Sequence, residues 1–470
     1  MIKRMILSTY FCSYMAAALF AQNPIVQTSY TPDPAPMVYN DRVYVYTGDD
    51  VPGFDFYYMT KWRVFSSADM VNWTDHGVPL SLEDFSWAID RAWASQCIER
   101  NGKFYWYICA QTDQNNMGIG VAVADSPTGP FKDAIGKPLI MTRSWSNIDP
   151  TAYVDDDGQA YLYWGNANLY YVKLNRDMIS YSEEIVEVPQ TVASFGGVRR
   201  PKATEDQSDG KPSAQPNKDM FVEGPWFYKR NGIYYQLFAG MEKGRECLSY
   251  SISGSPTGPW EYQGRIMVDQ PTNSFTNHSG IVDFKGNSYL FYHTALLPGG
   301  GSYGRSTAVE EFHYNPDGTI PLINISETGP KPLGTVNPYI RNEAETIAWA
   351  EKCKTNQNEL VGVYISDIRT GSSIKVREVD FGTTPPKIFK ASLASGLGAG
   401  ILEVYVDSLG GTNIASIDVP RTGGWNTWKT FTAEVAAQVT GKKDLYFAFK
   451  GKNLTAGRRL YNFDHWTFEK

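Results

Sequence analysis

Three carboxylates stand at equivalent places in a recurring pattern: Asp33 in Asp33-Pro-Ala-Pro-Met-Val-Tyr-Asn, Asp149 in Asp149-Pro-Thr-Ala-Tyr-Val, and Glu223 in Glu223-Gly-Pro-Trp-Phe-Tyr. A pair of carboxyl groups can do acid–base work when one stays protonated and the other ionised, and a nearby negative charge or partial desolvation holds the proton on the first. Two such groups facing one another can protonate a leaving oxygen and activate a water on the opposite side, which is the chemistry of glycosidic-bond cleavage. Singly, each acid also suits a turn cap, since Asp33 precedes Pro34 and Glu223 precedes Gly224-Pro225.

The elements that must position them recur five times. Each unit opens with an acidic or polar residue, passes through a turn rich in Asn, Asp and Gly, and closes in an alternating aromatic strand such as Ala160-Tyr-Leu-Tyr-Trp164. The openings are Asp33, Trp93, Asp149, Glu223 and His278, spaced roughly 55 to 75 residues apart, which points to propeller blades. Ser126-Pro-Thr-Gly-Pro-Phe and Ser255-Pro-Thr-Gly-Pro-Trp are a second echo. Turns are expected at Asn40-Asp41, Asn101-Gly102, Asp157-Gly158, Asn231-Gly232, Gly286-Asn287 and Asp317-Gly318. The first strand of every blade lines a propeller's axis, so the three acids converge at one end of it. Each blade is two hairpins.

The chain has 470 residues, 42% apolar and 14% aromatic with 30 Tyr and 13 Trp. That length suits two domains, and the aromatic surplus suits both all-β cores and the stacking of sugar faces. A net charge of −7 without a basic stripe argues against nucleic acid. No phosphate-cradling glycine loop opens a helix. Met1-Ile-Lys-Arg, an apolar run to Phe20 and Ala21 read as a signal peptide over 1–21, so an exported protein, periplasmic or extracellular, is expected, with no membrane span. Cys97, Cys109, Cys247 and Cys353 lack metal-ligand spacing; Cys97 could pair with Cys109, with buried free thiols as the alternative. Asp155-Asp-Asp-Gly reads as a hairpin turn rather than a calcium loop. The polar stretch 196–219 is expected to be a long loop at the mouth of the site.

Residues 328–338, with three prolines, read as a linker after a propeller over 22–327. The remaining residues, 339–470, show short alternating strands and suggest a β-sandwich. The fold class is therefore all-β.

Thr31-Pro-Asp-Pro-Ala-Pro-Met-Val-Tyr-Asn, Asn147-Ile-Asp-Pro-Thr-Ala-Tyr and Phe221-Val-Glu-Gly-Pro-Trp resemble, in order and spacing, the three catalytic motifs of glycoside hydrolase family 43. The resemblance extends to Arg91-Ala-Trp-Ala-Ser-Gln and Met70-Val-Asn-Trp-Thr-Asp-His-Gly and covers nearly all of 22–320. It implies a five-bladed β-propeller that inverts configuration, with Asp33 as general base, Glu223 as general acid and Asp149 tuning and orienting that acid. It also implies a calcium ion on the propeller axis contacted by His278, and Arg305 at the sugar. Trp93 and Trp164 are candidate pocket walls, core packing being the alternative. The implied activity is removal of α-L-arabinofuranosyl side chains from arabinoxylan, with β-D-xylosidase or arabinan hydrolysis as alternatives within the family. The partner is then a plant cell-wall polysaccharide or xylo-oligosaccharides, and the enzyme a monomer. Outside the family, the competing reading is a non-catalytic carbohydrate-binding propeller.

Arg341-Asn-Glu-Ala-Glu-Thr, Thr422-Gly-Gly-Trp-Asn-Thr-Trp and Tyr461-Asn-Phe-Asp-His-Trp-Thr-Phe resemble family 6 carbohydrate-binding modules. The resemblance implies a structural calcium on Glu343, Glu345 and Asp464, and sugar contacts from Trp425, Tyr364 and Asn462, with Trp428 read as core. Ser366-Asp-Ile-Arg-Thr-Gly-Ser departs from the usual acidic, glycine-rich turn of that family.

Overall fold

The computed structural model describes residues 22–54, 56–113, 115–197, 220–242, 245–267, 274–398, 400–452 and 457–470. The signal segment 1–21 and most of the 196–219 stretch lie outside them. Two compact units emerge: Tyr30–Val64 with Val78–Ile325, and residues 22–29 with Phe65–Gly77 and Ser326–Lys470.

The first unit is built of antiparallel sheets in sequence order. Their opening strands are Ala35–Tyr39, Gln96–Arg100, Thr151–Val154, Phe221–Arg230 and Ser279–Phe284. Each of these packs against the next, and the fifth against the first, so the five close a ring. Hydrogen bonds between Thr31 and the last sheet seal it: Thr31 N donates to Arg305 O at 2.8 Å and Thr307 N to Thr31 Oγ1 at 3.0 Å. This is the expected five-bladed propeller; its fifth sheet has three strands among the described residues.

The blade hairpins follow from local chemistry. Asn40-Asp41, Asn101-Gly102 and Asn231-Gly232 all take positive φ at both positions, the backbone that two-residue turns between twisted strands demand. The fifth-blade turn is Lys285-Gly286 rather than Gly286-Asn287, because Phe284 pairs with Asn287; Lys285 and Gly286 both take positive φ, like the other blade turns. Asp155–Gly158 turns between the paired Val154 and Ala160, a hairpin as expected. Gly129-Pro130 and Gly258-Pro259, the second sequence echo, are both cis. The four cysteines are buried and free; Cys97 sits opposite Trp106, not Cys109.

The second unit holds two antiparallel sheets in 339–470. One is centred on Asn462–Glu469 and Ile388–Ala394, the other on Ser373–Asp380, Lys442–Gly451 and Gly400–Val406. Their inward residues, among them Phe389, Leu402, Phe447, Phe463 and Trp466, form one continuous core. That is a β-sandwich.

Candidate active site

Asp33, Asp149 and His278 each sit within two residues of the start of an axial strand, and Glu223 sits inside the fourth, so the ring delivers all four to one end of the axis. The chain turns sharply to do so. Asp33 and Asp149 adopt left-handed φ of 54° and 59° immediately before proline, a costly conformation tolerated where the surrounding structure fixes it. At Glu223 the strand register shifts and Gly224 takes φ 61°. A Cβ on Gly224 would fall 2.9 Å from His278 Cδ2, so only glycine admits the imidazole.

The four side chains interlock. His278 Nδ1 lies 3.6 Å from Asp33 Oδ1, while its Nε2 lies 3.6 Å from both Asp149 Oδ2 and Glu223 Oε1. Gly224 N donates to Asp149 Oδ2 at 3.0 Å and Asn166 Nδ2 to Glu223 Oε2 at 2.6 Å. His293, wholly buried, has Nε2 2.7 Å from Thr276 O, which leaves Nδ1 to accept from Asp33 N at 3.2 Å. Arg305 is clamped by Asp50 through Nε and Nη2, both at 3.0 Å, and presents Nη1 to Asp33 Oδ1 at 2.9 Å and Thr276 Oγ1 at 3.2 Å. The pocket above holds about 290 Å³ and is walled by Tyr57, Trp93, Trp145, Ile148, Val222 and Phe275 among others.

Charge is divided unequally. Burial would raise the pKa of Asp33, but Arg305 foremost, with His278 and His293, holds it well below the usual carboxylate range. Burial, Glu223 and Asp33 push Asp149 up to about 7. Burial disfavours a charged His278, yet Asp33, Asp149 and Glu223 outweigh it and push its pKa up to about 10. Glu223 differs from expectation. Burial raises it, but the hydrogen bond and charge of His278 outweigh that and lower it. Asp149 and His278, both raised, therefore hold protons more readily than Glu223 does.

Asp149, Glu223 and His278 bring one ligand atom each within 4.8 Å of one another, a possible acidic metal site. The two uses of His278 exclude each other, since a protonated imidazole has no lone pair for a metal.

Arg305 lines the pocket as expected, though its N–H groups are engaged by Asp33, Asp50 and Thr276. Trp93 lines it too. Trp164 does not: it is fully buried in the core beneath, stacked on Tyr170 at 5.8 Å. Sequence reasoning missed Asp50, Asn166, His293 and above all Glu246. This buried acid reaches the pocket from a strand interior and accepts from Asn277 N at 2.8 Å. Burial and then Glu223 push its pKa well above the usual range.

In the sandwich, Arg341 binds both oxygens of Glu343 at 2.7 and 2.8 Å and reaches Asp464 at 3.3 Å. Glu345 is buried with its Oε2 unpartnered; burial, then Glu343, Asp75 and Asp464, push its pKa well above normal. Asp464 Oδ2 also lies 2.6 Å from His465 Nδ1, and among the described residues Glu343, Glu345 and Asp464 are not gathered within metal-ligand reach of one another, so of the three only the orphaned Glu345 oxygen is open to a hard cation. Trp425 is partly exposed, with the Arg459 guanidinium 4.5 Å from its ring centroid. Asn462 is fully buried and braces the tryptophan loop: Nδ2 donates to Trp425 O at 2.7 Å and Oδ1 accepts from Arg459 at 2.6 Å. Tyr364 is buried and packs edge-on against Trp428, and Trp428 is the partly exposed ring of that pair.

An ionised carboxylate beside carboxyl groups of raised pKa, in a pocket at one end of a propeller axis, is the arrangement of a glycosidase site. The family model for glycosyl hydrolases family 43 matches residues 21–320, and that for carbohydrate binding module (family 6) matches 343–470. An arabinoxylan arabinofuranohydrolase of Bacillus subtilis is 32% identical over 95% of this chain and 92% of its own. A xylosidase/arabinosidase of Bacteroides ovatus is 33% identical over 63% of this chain and 95% of its own. The crystal structure of the Bacillus subtilis family 43 arabinoxylan arabinofuranohydrolase with cellotetraose superposes with a TM-score of 0.80 at 30% identity, covering 96% of this chain and 98% of that one. The chain belongs to glycosyl hydrolase family 43, and its C-terminal unit carries the family 6 module.

Proposed function

We propose that the protein is an exported inverting α-L-arabinofuranosidase that removes arabinose side chains from arabinoxylan. The observation that carries this is the extent of the likeness. The arabinoxylan arabinofuranohydrolases align over 95% of the chain, sandwich included, whereas the xylosidase/arabinosidase of Bacteroides ovatus and the β-xylosidase of Xylanibacter ruminicola align over 63% and 64%. Asp33, kept ionised by Arg305, takes a proton from water. As the oxygen of that water attacks the anomeric carbon, Glu223 protonates the departing main-chain oxygen, with the raised carboxyl of Asp149 as the neighbouring proton store. The pocket, at about 290 Å³, is small for a ligand site and suits one sugar at a time.

Calcium is proposed at Glu345, beside Glu343 and Asp464, where it would neutralise the buried acid and brace the sandwich. A second calcium is proposed on the propeller axis facing a deprotonated His278. Product identification tests the function: arabinose released from arabinoxylan supports it, and xylose released from xylo-oligosaccharides in its place selects the β-xylosidase reading.

A further inference from the structure

The loop after Ala160–Trp164, in the third blade, reaches across to the acid of the fourth. Asn166 Nδ2 donates to Glu223 Oε2 at 2.6 Å, while Glu223 Oε1 lies 3.6 Å from His278 Nε2. Asn166 and Glu223 both line the pocket. The loop is pinned beside both acids: Gly165 N donates at 3.0 Å to the carbonyl of Ile148, which precedes Asp149, and Ala167 N at 2.6 Å to that of Val222, which precedes Glu223. Gln190 Nε2 donates to Ala167 O at 3.0 Å. Ala167 holds a left-handed φ of 68°, and a Cβ on Gly165 would strike Asn168 O. Backbone strain of this kind persists where the surroundings fix it, so Asn166 is delivered to Glu223 on a loop with little freedom.

A neutral carboxyl group has one carbonyl oxygen that accepts and one hydroxyl oxygen that donates. An amide N–H on Oε2 makes that oxygen the acceptor, so the proton for transfer sits on Oε1. We propose that Asn166 is the positioning residue of the general acid: it fixes Oε1 as the oxygen that delivers the proton, and it steadies Oε2 as charge develops there. In the step the Oε1–H bond breaks and its electron pair stays on Glu223. The proton goes to the departing oxygen as the bond from that oxygen to the anomeric carbon breaks. The negative charge left on the carboxylate spreads to Oε2, where an N–H already in place stabilises it without reorganisation. The inference rests on the reading of Glu223 as the acid of an arabinofuranosidase.

The test measures kcat and KM on arabinoxylan, phenyl α-L-arabinofuranoside and 4-nitrophenyl α-L-arabinofuranoside for the full chain, Asn166→Ala, Asn166→Leu and Glu223→Ala. Leucine keeps close to the volume of asparagine without its donor. Both Asn166 variants are expected to lose about 10- to 100-fold in kcat on arabinoxylan and on the phenyl glycoside, the usual size of a hydrogen bond to a charged group. The loss on the 4-nitrophenyl glycoside should be clearly smaller, and KM should stay within about twofold, as for an interaction made in the transition state. A loss of equal size on all three substrates, a loss confined to KM, or an unchanged kcat overturns the proposal, because a merely structural role does not follow the leaving group. If Glu223→Ala itself loses equally on all three, the acid reading fails and the role of Asn166 with it. If Glu223→Ala follows the leaving group and the Asn166 variants do not, only the role of Asn166 falls.

Discussion

Arg305 Nη1 donates to Asp33 Oδ1 at 2.9 Å, and both residues are buried. Their residue numbers are far apart, yet closing the ring brings the end of the fifth blade against the start of the first. The pair keeps the proposed base ionised. Without the guanidinium, burial would carry the Asp33 carboxyl back toward the usual carboxylate range.

Replacing Arg305 should therefore move the acidic limb of the pH profile. Asp33 works only when ionised, so activity exists above its pKa and is lost as pH falls through it. Arg305→Met should raise that limb by about 1 to 3 pH units, the usual size of one close opposite charge. Arg305→Lys should shift it less. A profile that drops in height without moving would assign Arg305 to sugar contact alone.

Glu223→Ala should lose about 10²- to 10⁴-fold in kcat on arabinoxylan, the usual contribution of general acid catalysis. On an aryl glycoside with a good leaving group the loss should be much smaller, because that oxygen departs with little protonation. Equal losses on both would move the acid role to another residue, and Glu246 is the next group to test.

Much of this site was legible in the sequence, and the limits of that legibility are physical. Asp33, Asp149 and Glu223 could be placed because opening strands line a propeller axis whatever the details. Trp93 and Trp164 could not be told apart, since an alternating aromatic strand does not say which ring faces the pocket. Asp50 and Glu246 left no signal: one lies in a loop and the other inside a strand, and both join the site only when the blades close. Asn462 misled because an amide beside a tryptophan can bind sugar or brace the loop, and its bonds to Trp425 and Arg459 settle on the loop.

Calcium should stabilise the sandwich in a pH-dependent way. Glu345 is pushed well above the ordinary carboxylate range, so the folded state without metal holds a proton that the unfolded chain releases. Its contribution to stability is full below the unfolded pKa, near about 4.3, and is lost as pH rises. Melting in chelator should therefore fall in Tm from pH 5 to pH 8, and added calcium should restore it most at pH 8. Glu345→Gln should flatten both effects. A calcium response that is the same at both pH values would contradict the assignment.

Trp425→Ala should weaken retention on insoluble xylan several-fold while turnover of a small aryl glycoside stays within about twofold, because Trp425 presents a partly exposed ring on its loop. Unchanged retention would place the module's sugar contact elsewhere, and the exposed edge of Trp428 is then the first alternative.

Proton NMR of arabinoxylan during digestion, with Asp33→Asn as control, tests the central claim most directly. Early appearance of β-arabinofuranose with the native enzyme, and none with Asp33→Asn, is the predicted result. It would establish the sugar, the inversion and the need for an ionised Asp33 together. First appearance of the α-anomer, or equal release by the variant, would contradict the account.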